Sequence, residues 1–322
     1  MKADSMPSAG GGARKTFRRS LILILVIVAV VFSTLTTLSP WIGSGNYLLT
    51  WNQIFRCTGL VPDTEAARPS VHFIDVGQGD AILFRSGDCS ALVDAGPSAD
   101  DGNRVVNYLQ RQGVTRLDAV IATHPHEDHI GGMSRVLERF RADLFLFDDA
   151  PVKDEIDSTI AAELLRIAAR CEVTVTPPQV GLKIVVGEFV LTVLYADSTA
   201  ENENDRSVVI LAECHGQRFL LMGDAEKETE KLLLLSGVPL ACEVLKAGHH
   251  GSATSTTPDF LVAADPGFVV FSCGVGNRFG HPSPGVSARV EQSGIRALRT
   301  DLMGTVSFYI DKKDGLVLET NR

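Results

Sequence analysis

From Val71 onward the sequence predicts an α/β (α+β) fold in which two β-sheets pack face to face and helices cover the outside. Three observations predict it. Short apolar runs of strand length are split by Gly, Asp and Asn, the residues at which an extended chain turns. Strands outnumber helices, and helical periodicity appears singly between pairs or triplets of strands, as layered sheets require. The 322 residues are 45% hydrophobic and include 29 glycines, enough apolar mass for a sizeable core and enough glycine for many turns.

The elements follow in chain order. Residues 1–20 form a basic tail, in which Lys2, Arg14, Lys15, Arg18 and Arg19 against Asp4 give a local charge of +4. Residues 21–38 run LILILVIVAVVFSTLTTL, eighteen positions without a charge. That is the lower end of the length of a transmembrane helix. Arg18 and Arg19 abut it and keep that end cytoplasmic, so the sequence predicts a single-pass anchor at the cell membrane with everything downstream extracytoplasmic. A cleavable signal segment is the competing reading and would make the protein secreted. Its apolar core is usually shorter, and Thr37-Leu38-Ser39 is a poor cleavage site. Residues 39–69 are mixed in composition and read as a linker.

Residues 70–322 form the remaining domain. Strands are expected at Val71–Val76, Asp80–Arg85, Ser90–Asp94, Ala119–Thr123, Leu144–Phe147, Val173–Thr176, Lys183–Val186, Phe189–Tyr195, Ser207–Cys214, Gln217–Met222, Glu243–Ala247, Phe268–Ser272 and Thr305–Ile310. Helices are expected at Gly102–Gln112, Met133–Arg141, Ser158–Ala169, Glu226–Leu234, Pro258–Ala263 and Gly285–Gln292. The formal net charge of −9, less the +4 of the tail, leaves about −13 for residues 21–322. So acidic a body argues against a broad basic groove for duplex nucleic acid. The 6 cysteines are scattered without a Cys-x-x-Cys pair, which excludes a zinc ribbon or a dense disulfide framework.

The chemistry concentrates in Thr123-His124-Pro125-His126-Glu127-Asp128-His129-Ile130-Gly131-Gly132, directly after an apolar strand. Borderline divalent metals take nitrogen from neutral imidazole and oxygen from carboxylate. Side chains two apart in an extended or turning backbone point the same way, so His124 and His126 grip one ion. Asp128 and His129 fall on the next turn, beside a second. A helix expected from about Gly132 would aim its positive N-terminus at the cluster. Further along, Asp224 follows the strand Gln217–Met222 and either bridges two ions or caps the next helix. His249 and His250 follow Glu243–Ala247. Adjacent side chains diverge, so one of the pair is a ligand and the other touches substrate or orients a carboxylate; the sequence does not choose. Ser252 either donates to a phosphoryl oxygen or caps a turn.

The His-x-His-x-Asp-His string resembles the signature of the metallo-β-lactamase fold superfamily. Phe73-Ile74-Asp75-Val76-Gly77-Gln78-Gly79-Asp80, Leu221-Met222-Gly223-Asp224-Ala225-Glu226, Leu245-Lys246-Ala247-Gly248-His249-His250-Gly251-Ser252 and Gly276-Asn277-Arg278-Phe279-Gly280-His281-Pro282 narrow it. Together they are similar to the soluble hydrolase domain of ComEC/Rec2 competence proteins, without the channel region. The resemblance implies a four-layer αββα sandwich behind the N-terminal transmembrane helix, with the site at one edge. It also implies one or two divalent metal ions, Zn or Mn, and a phosphodiester substrate, either DNA or a cell-surface phosphodiester. By the same resemblance Asp75 and Asp80 frame a glycine turn near the site, and Asn277 and His281 lie in a loop near substrate. The wider superfamily has a further histidine between the main cluster and the Asp224-type aspartate. Here that stretch is Glu201-Asn202-Glu203-Asn204-Asp205-Arg206-Ser207, so either Asn204 or Asp205 supplies oxygen, which shifts preference towards manganese relative to zinc, or the first ion is loosely held and one metal rather than two is bound.

The expected mechanism is hydrolysis by water that the metal activates, with Asp128 orienting the nucleophile and accepting its proton. The alternatives are a metallohydrolase of another ester or a β-lactam, and a non-catalytic binding module that keeps the fold.

Overall fold

The computed structural model describes residues 25–34, 68–98, 102–313 and 315–322. The chain divides into two units, Met1–Val61 and Pro62–Arg322. In the first, residues 25–34 are helical, and apolar side chains such as Leu25, Val28 and Phe32 are exposed. The rest of the expected 21–38 anchor, all of 1–20 and most of the 39–69 linker lie outside the described residues. Among the described residues no helix is long and apolar enough to cross a membrane.

In the second unit, β1 (Ser70–Phe73), β2 (Ile82–Ser86) and β3 (Cys89–Val93) form an antiparallel meander. Helix α1 (Asn103–Arg111) then crosses over to β5 (Ala119–Ile121), past the two-residue β4 (Arg116–Leu117). Short α2 (Glu127–Ile130) and α3 (Met133–Arg139) follow, then β6 (Arg141–Ala142), which pairs with β4, and β7 (Phe145–Leu146). Helix α4 (Glu155–Arg170) leads to β8 (Val175–Thr176). Strands β3, β5, β7 and β8 are parallel, as helical crossovers require.

The plan then repeats. Strands β9 (Lys183–Val186), β10 (Phe189–Tyr195), β11 (Val209–Cys214) and β12 (Gln217–Leu221) form a second meander. Then β13 (Val244–Lys246), β14 (Phe268–Phe271) and β15 (Arg296–Arg299) run parallel to β12, separated by α5 (Lys227–Ser236), α6 (Pro258–Ala264) and α7 (Pro284–Gln292). After α8 (Thr300–Met303), β16 (Val306–Asp311) and β17 (Gly315–Thr320) return to the first sheet. The sheets have eight and seven strands, in the orders β17-β16-β1-β2-β3-β5-β7-β8 and β15-β14-β13-β12-β11-β10-β9.

Three apolar layers hold this arrangement. Phe73, Phe84, Val93 and Phe308 of the first sheet meet Val186, Phe189, Ile210 and Phe219 of the second. Leu83, Leu92 and Val120 on the first sheet's other face meet Val105, Leu109, Met133 and Leu164 from the helices. Leu220, Leu245 and Val269 on the second sheet's far face meet Leu233, Phe260 and Val290. The result is four layers, αββα. Alternate positions of β9 are exposed and buried, the period-two signature of a sheet with one wet face. Local chemistry sets the boundaries. His215 and Gly216, with φ of 49° and 78°, make the left-handed pair that closes the β11–β12 hairpin. Asp154 caps α4 by accepting from the amides of Ile156 and Asp157, so the helix starts ahead of the expected Ser158.

Other expectations shift as well. The first strand stops at Phe73 rather than Val76, because residues 74–81 leave the sheet to reach the site. A helical turn, α2, already begins inside the histidine string, ahead of the helix expected near Gly132. Strands β15 and β17 were not expected. Both lie at the ends of their sheets and few of their side chains are fully buried: Leu298 of β15 is, while Leu316 and Leu318 of β17 pack half-buried against the core.

Candidate metal centre

The polar residues converge where β5, β12, β13 and β14 end, outside the carboxyl ends of parallel strands. The loop before β2 closes the same edge. Gly79 is required there: it has φ of +136°, and an added Cβ would lie 2.3 Å from the Asp128 carbonyl oxygen. This contact lets the Asp80 amide donate to the same carbonyl at 3.2 Å. The two halves are stitched beside the site by the Val208 amide donating to the Thr123 carbonyl at 2.9 Å, and within the second half the Asp224 amide donates to Ser207 Oγ at 2.9 Å.

Four buried atoms, the Nε2 atoms of His124, His129 and His250 and Oδ1 of Asp224, have no hydrogen-bond partner. They face one another across short gaps. His129 Nε2 lies 3.2 Å from Asp224 Oδ1, and His250 Nε2 lies 3.2 Å from Asp128 Oδ2 and 3.4 Å from Asp224 Oδ2. His124 Nε2 is 4.0 Å from Asp224 Oδ2. Unpaired polar atoms at such depth each cost about 1–3 kcal/mol unless something satisfies them. The opposite nitrogens are occupied. His129 Nδ1 pairs with Asp94 Oδ2 at 2.7 Å, and Asp94 in turn accepts from the Thr123 amide and hydroxyl. His250 Nδ1 donates to the Ser272 carbonyl at 2.8 Å. Such bonds fix the tautomer and leave Nε2 a free lone pair aimed inward, the arrangement a metal-binding histidine needs.

Charge at the centre points the same way. Burial by itself opposes charge on His129, yet Asp224, Asp94 and Asp128 hold its pKa well above the ordinary value. Burial likewise opposes charge on His250, and Asp224, Asp128 and Asp80 outweigh it. The carboxylates therefore demand positive charge at this spot, and a divalent cation meets that demand while also satisfying the orphaned lone pairs. One such ligand set, with donor atoms within 4.8 Å of one another, is Asp80, His129, Asp224 and His250. Asp80, however, already has a cation: Lys246 Nζ, fully buried at the end of β13, lies 2.5 Å from its Oδ2 and donates to the Gly223 carbonyl at 2.9 Å. Asp80 is therefore read as an anchor for Lys246, and Asp128 faces the cluster in its place.

His249 and His250 both have left-handed backbone, with φ of 47° and 54°. That costs a non-glycine residue about 1–2 kcal/mol and is tolerated where surrounding structure enforces it. Of the two, only His250 has a buried nitrogen without a hydrogen-bond partner in the cluster. His249 is a quarter exposed, pairs through Nδ1 with Glu226 Oε1 at 2.9 Å, and keeps Nε2 3.8 Å from Asp224 Oδ2. His126 stands at the other end, with its ring centroid 4.6 Å from that of His124 and its Nε2 3.6 Å from Glu203 Oε2.

The remaining expected residues separate into near and far. Asn204 reaches the site: its amide nitrogen contacts Glu226 Oε1 at 3.1 Å and its buried Oδ1 has no partner. Asp205 does not supply a free oxygen, since its Oδ1 accepts from the Glu226 amide and the Thr229 hydroxyl. Asp75 is turned to Arg322 at 3.0 Å and to its own turn, away from the cluster. Ser252 Oγ pairs with the Thr254 hydroxyl and amide, the turn-capping alternative. Asn277 ties its own loop to Gly274 and His281, while His281 packs its ring against those of His249 and His250. Sequence reasoning missed Asp94, Lys246, Glu203 and Glu226. Lys246 left a signal, a lysine inside the apolar parallel strand Val244-Leu245-Lys246-Ala247, where an unpaired charge is not tolerated.

A profile of the metallo-beta-lactamase superfamily matches residues 74–274. The chain belongs to that superfamily. It is 30% identical over 295 residues to competence protein ComA of Neisseria gonorrhoeae, covering 90% of this chain and 39% of that protein. It is 27% identical over 263 residues to ComE operon protein 3 of Bacillus subtilis, covering 76% of this chain and 33% of that one. Recombination protein 2 of Haemophilus influenzae is 27% identical over 267 residues, covering 80% and 32%. The chain thus spans about a third of the length of these relatives. The crystal structure of the metallo-beta-lactamase fold protein YhfI from Bacillus subtilis superposes with a TM-score of 0.52 at 13% identity, covering 74% of this chain and 99% of that one. This likeness speaks to the fold alone.

Proposed function

We propose that this chain is a metal-dependent phosphodiesterase that cleaves single-stranded DNA, with segment 21–38 anchoring it in a membrane and residues 70–322 on the extracytoplasmic side. The convergence of the orphaned Nε2 atoms of His124, His129 and His250 on Asp224 carries the reading. His129, His250 and Asp128 would hold one divalent ion. His124 and His126 would hold the other with oxygen from Asn204 or Glu203, and Asp224 would be shared. Such ions supply Lewis acidity toward a phosphoryl oxygen and lower the pKa of water.

The chain's own residues do the rest. Asp128, with a side chain 28% exposed against 2% for Asp224, is the carboxylate that solvent reaches, and it takes the proton from the attacking water. Asp94 keeps His129 in the tautomer that leaves Nε2 free. Lys246 offsets the Asp80 charge and, through the Gly223 carbonyl, holds the turn that carries Asp224. The relatives named for competence and recombination support DNA as the substrate, and the acidic body implies weak, salt-sensitive binding. Arg18 and Arg19 beside the apolar run support the anchor.

The test is hydrolysis of an aryl phosphodiester and of single-stranded DNA by the full chain, before and after chelation. Loss of both on chelation, and recovery with manganese or zinc, is expected. Full activity after exhaustive chelation, or β-lactam turnover without diester turnover, overturns the reading. For the anchor, a C-terminal reporter should be active outside the cytoplasm; activity only inside contradicts it.

A further inference from the structure

The loop between β14 and α7 carries two residues that the chemistry above leaves unused. Phe279 is 54% exposed, a large apolar ring on the surface of an acidic body. Its neighbour Arg278 is also exposed, holds its guanidinium carbon 4.9 Å from the Phe279 ring centroid, and forms no ion pair among the described residues. Inward from Phe279 the rings are layered. Phe279 and His281 lie 5.7 Å apart at an interplanar angle of 24°, and His281 and His250 lie 6.4 Å apart at 27°. A stack of near-parallel planes therefore runs from the surface to a residue of the metal centre.

The loop is held rigid. The Asn277 side chain donates to the carbonyls of Gly274 and His281 at 3.0 and 2.7 Å and accepts from the His281 amide at 2.9 Å. The Gly274 amide donates to Gln78 Oε1 at 3.3 Å, fastening the loop to the turn before β2. An exposed ring in a braced loop loses little conformational freedom on meeting a ligand, which is how a binding platform differs from an incidental surface phenylalanine.

We infer that Arg278 and Phe279 form a base-stacking subsite, which takes a nucleobase next to the phosphodiester held at the metal centre. Bases stack on aromatic rings and on guanidinium planes without regard to sequence, because every base has a π face. Arg278 adds the one kind of charge that a phosphate chain seeks on this surface. The subsite would make the enzyme prefer base-bearing strands over bare phosphodiester backbone. It rests on the phosphodiesterase reading, and the test below separates the two.

The full chain is assayed on a single-stranded oligothymidylate and on an abasic oligonucleotide of the same length, and the ratio of the two kcat/KM values is the readout. Stacking of one base on an aromatic side chain gives a preference of about tenfold or more. The wild type should show that preference, Phe279→Ala should bring the ratio close to one, and Phe279→Trp should keep it. A wild-type ratio near one, or a ratio that Phe279→Ala leaves intact, overturns the subsite while the phosphodiesterase reading stands. Turnover of neither oligonucleotide by the metal-loaded wild type overturns both.

Discussion

His72 and His129 are both fully buried, yet the fold treats their rings in opposite ways. His72, on β1, has Ser70 Oγ 2.9 Å from Nε2, and Ser307 Oγ and the Tyr108 hydroxyl 2.9 and 3.0 Å from Nδ1. Burial, with Arg85 adding to it, holds its pKa down to about 3, so the ring is neutral and fully partnered. His129 has a carboxylate on one nitrogen and nothing bonded to the other, among acidic groups that draw positive charge to it. One histidine is a component of a closed hydrogen-bond network; the other is half of an interaction whose second partner must come from solution. Burial does not distinguish them, and satisfaction of the second nitrogen does.

The comparison yields graded expectations. The largest effect should come from Lys246→Met, which leaves Asp80 buried without its cation. Breaking a buried ion pair from one side costs about 3–5 kcal/mol, so the denaturant midpoint should fall accordingly. An unchanged midpoint would mean that the Asp80–Lys246 pair is not the internal brace described above. Next comes Asp94→Asn, which preserves shape but weakens the hold on His129 Nδ1. Metal affinity, read by competition with a chelator, should drop about 10–100-fold. An affinity equal to wild type would break the link between the orphaned Nε2 and the anchored Nδ1.

The third effect, confined to acid pH, belongs to His72. Its folded pKa of about 3 lies below the ordinary 6.5, so the unfolded chain binds a proton that the folded one refuses. The stability contributed by the neutral ring is fully present above pH 6.5 and is lost as pH falls from there toward 3. At pH 5 the loss should be about 2 kcal/mol. His72→Gln should flatten that part of the stability–pH curve, and an unchanged slope in the variant would show that other groups carry the acid sensitivity.

Much of this was legible in the sequence, for identifiable reasons. The inner strands carry apolar runs on both faces, so β2, β3, β5, β10, β11 and β12 could be placed from sequence. The edge strands β15 and β17 were missed: β15 buries only Leu298 fully and begins and ends on arginine, and β17 keeps all six of its residues at least partly exposed. His124, His126, Asp128 and His129 lie within six positions, which makes the cluster visible as a string. Asp94 and Lys246 are separated from it in the chain: Asp94 joins it when β3 pairs with β5, and Lys246 only when the two sheets pack. The choice between His249 and His250 depends on backbone dihedrals, which adjacent positions in a sequence do not reveal. Asp205 and Asn204 show the same limit: neighbours in the string, the one gives its carboxylate to a helix start and the other keeps a buried amide oxygen without a partner.

The central claim is that orphaned nitrogens, rather than buried histidines in general, hold the metal. Its most direct test is the metal content of the purified full chain after incubation with manganese or zinc and removal of free ion, measured alongside His250→Ala, His249→Ala and His72→Gln. The wild type should retain one or two divalent ions per chain. His250→Ala should lose at least one of them, whereas His249→Ala and His72→Gln should keep the wild-type content. Retention of the full content by His250→Ala, or equal loss in all three variants, would contradict the account.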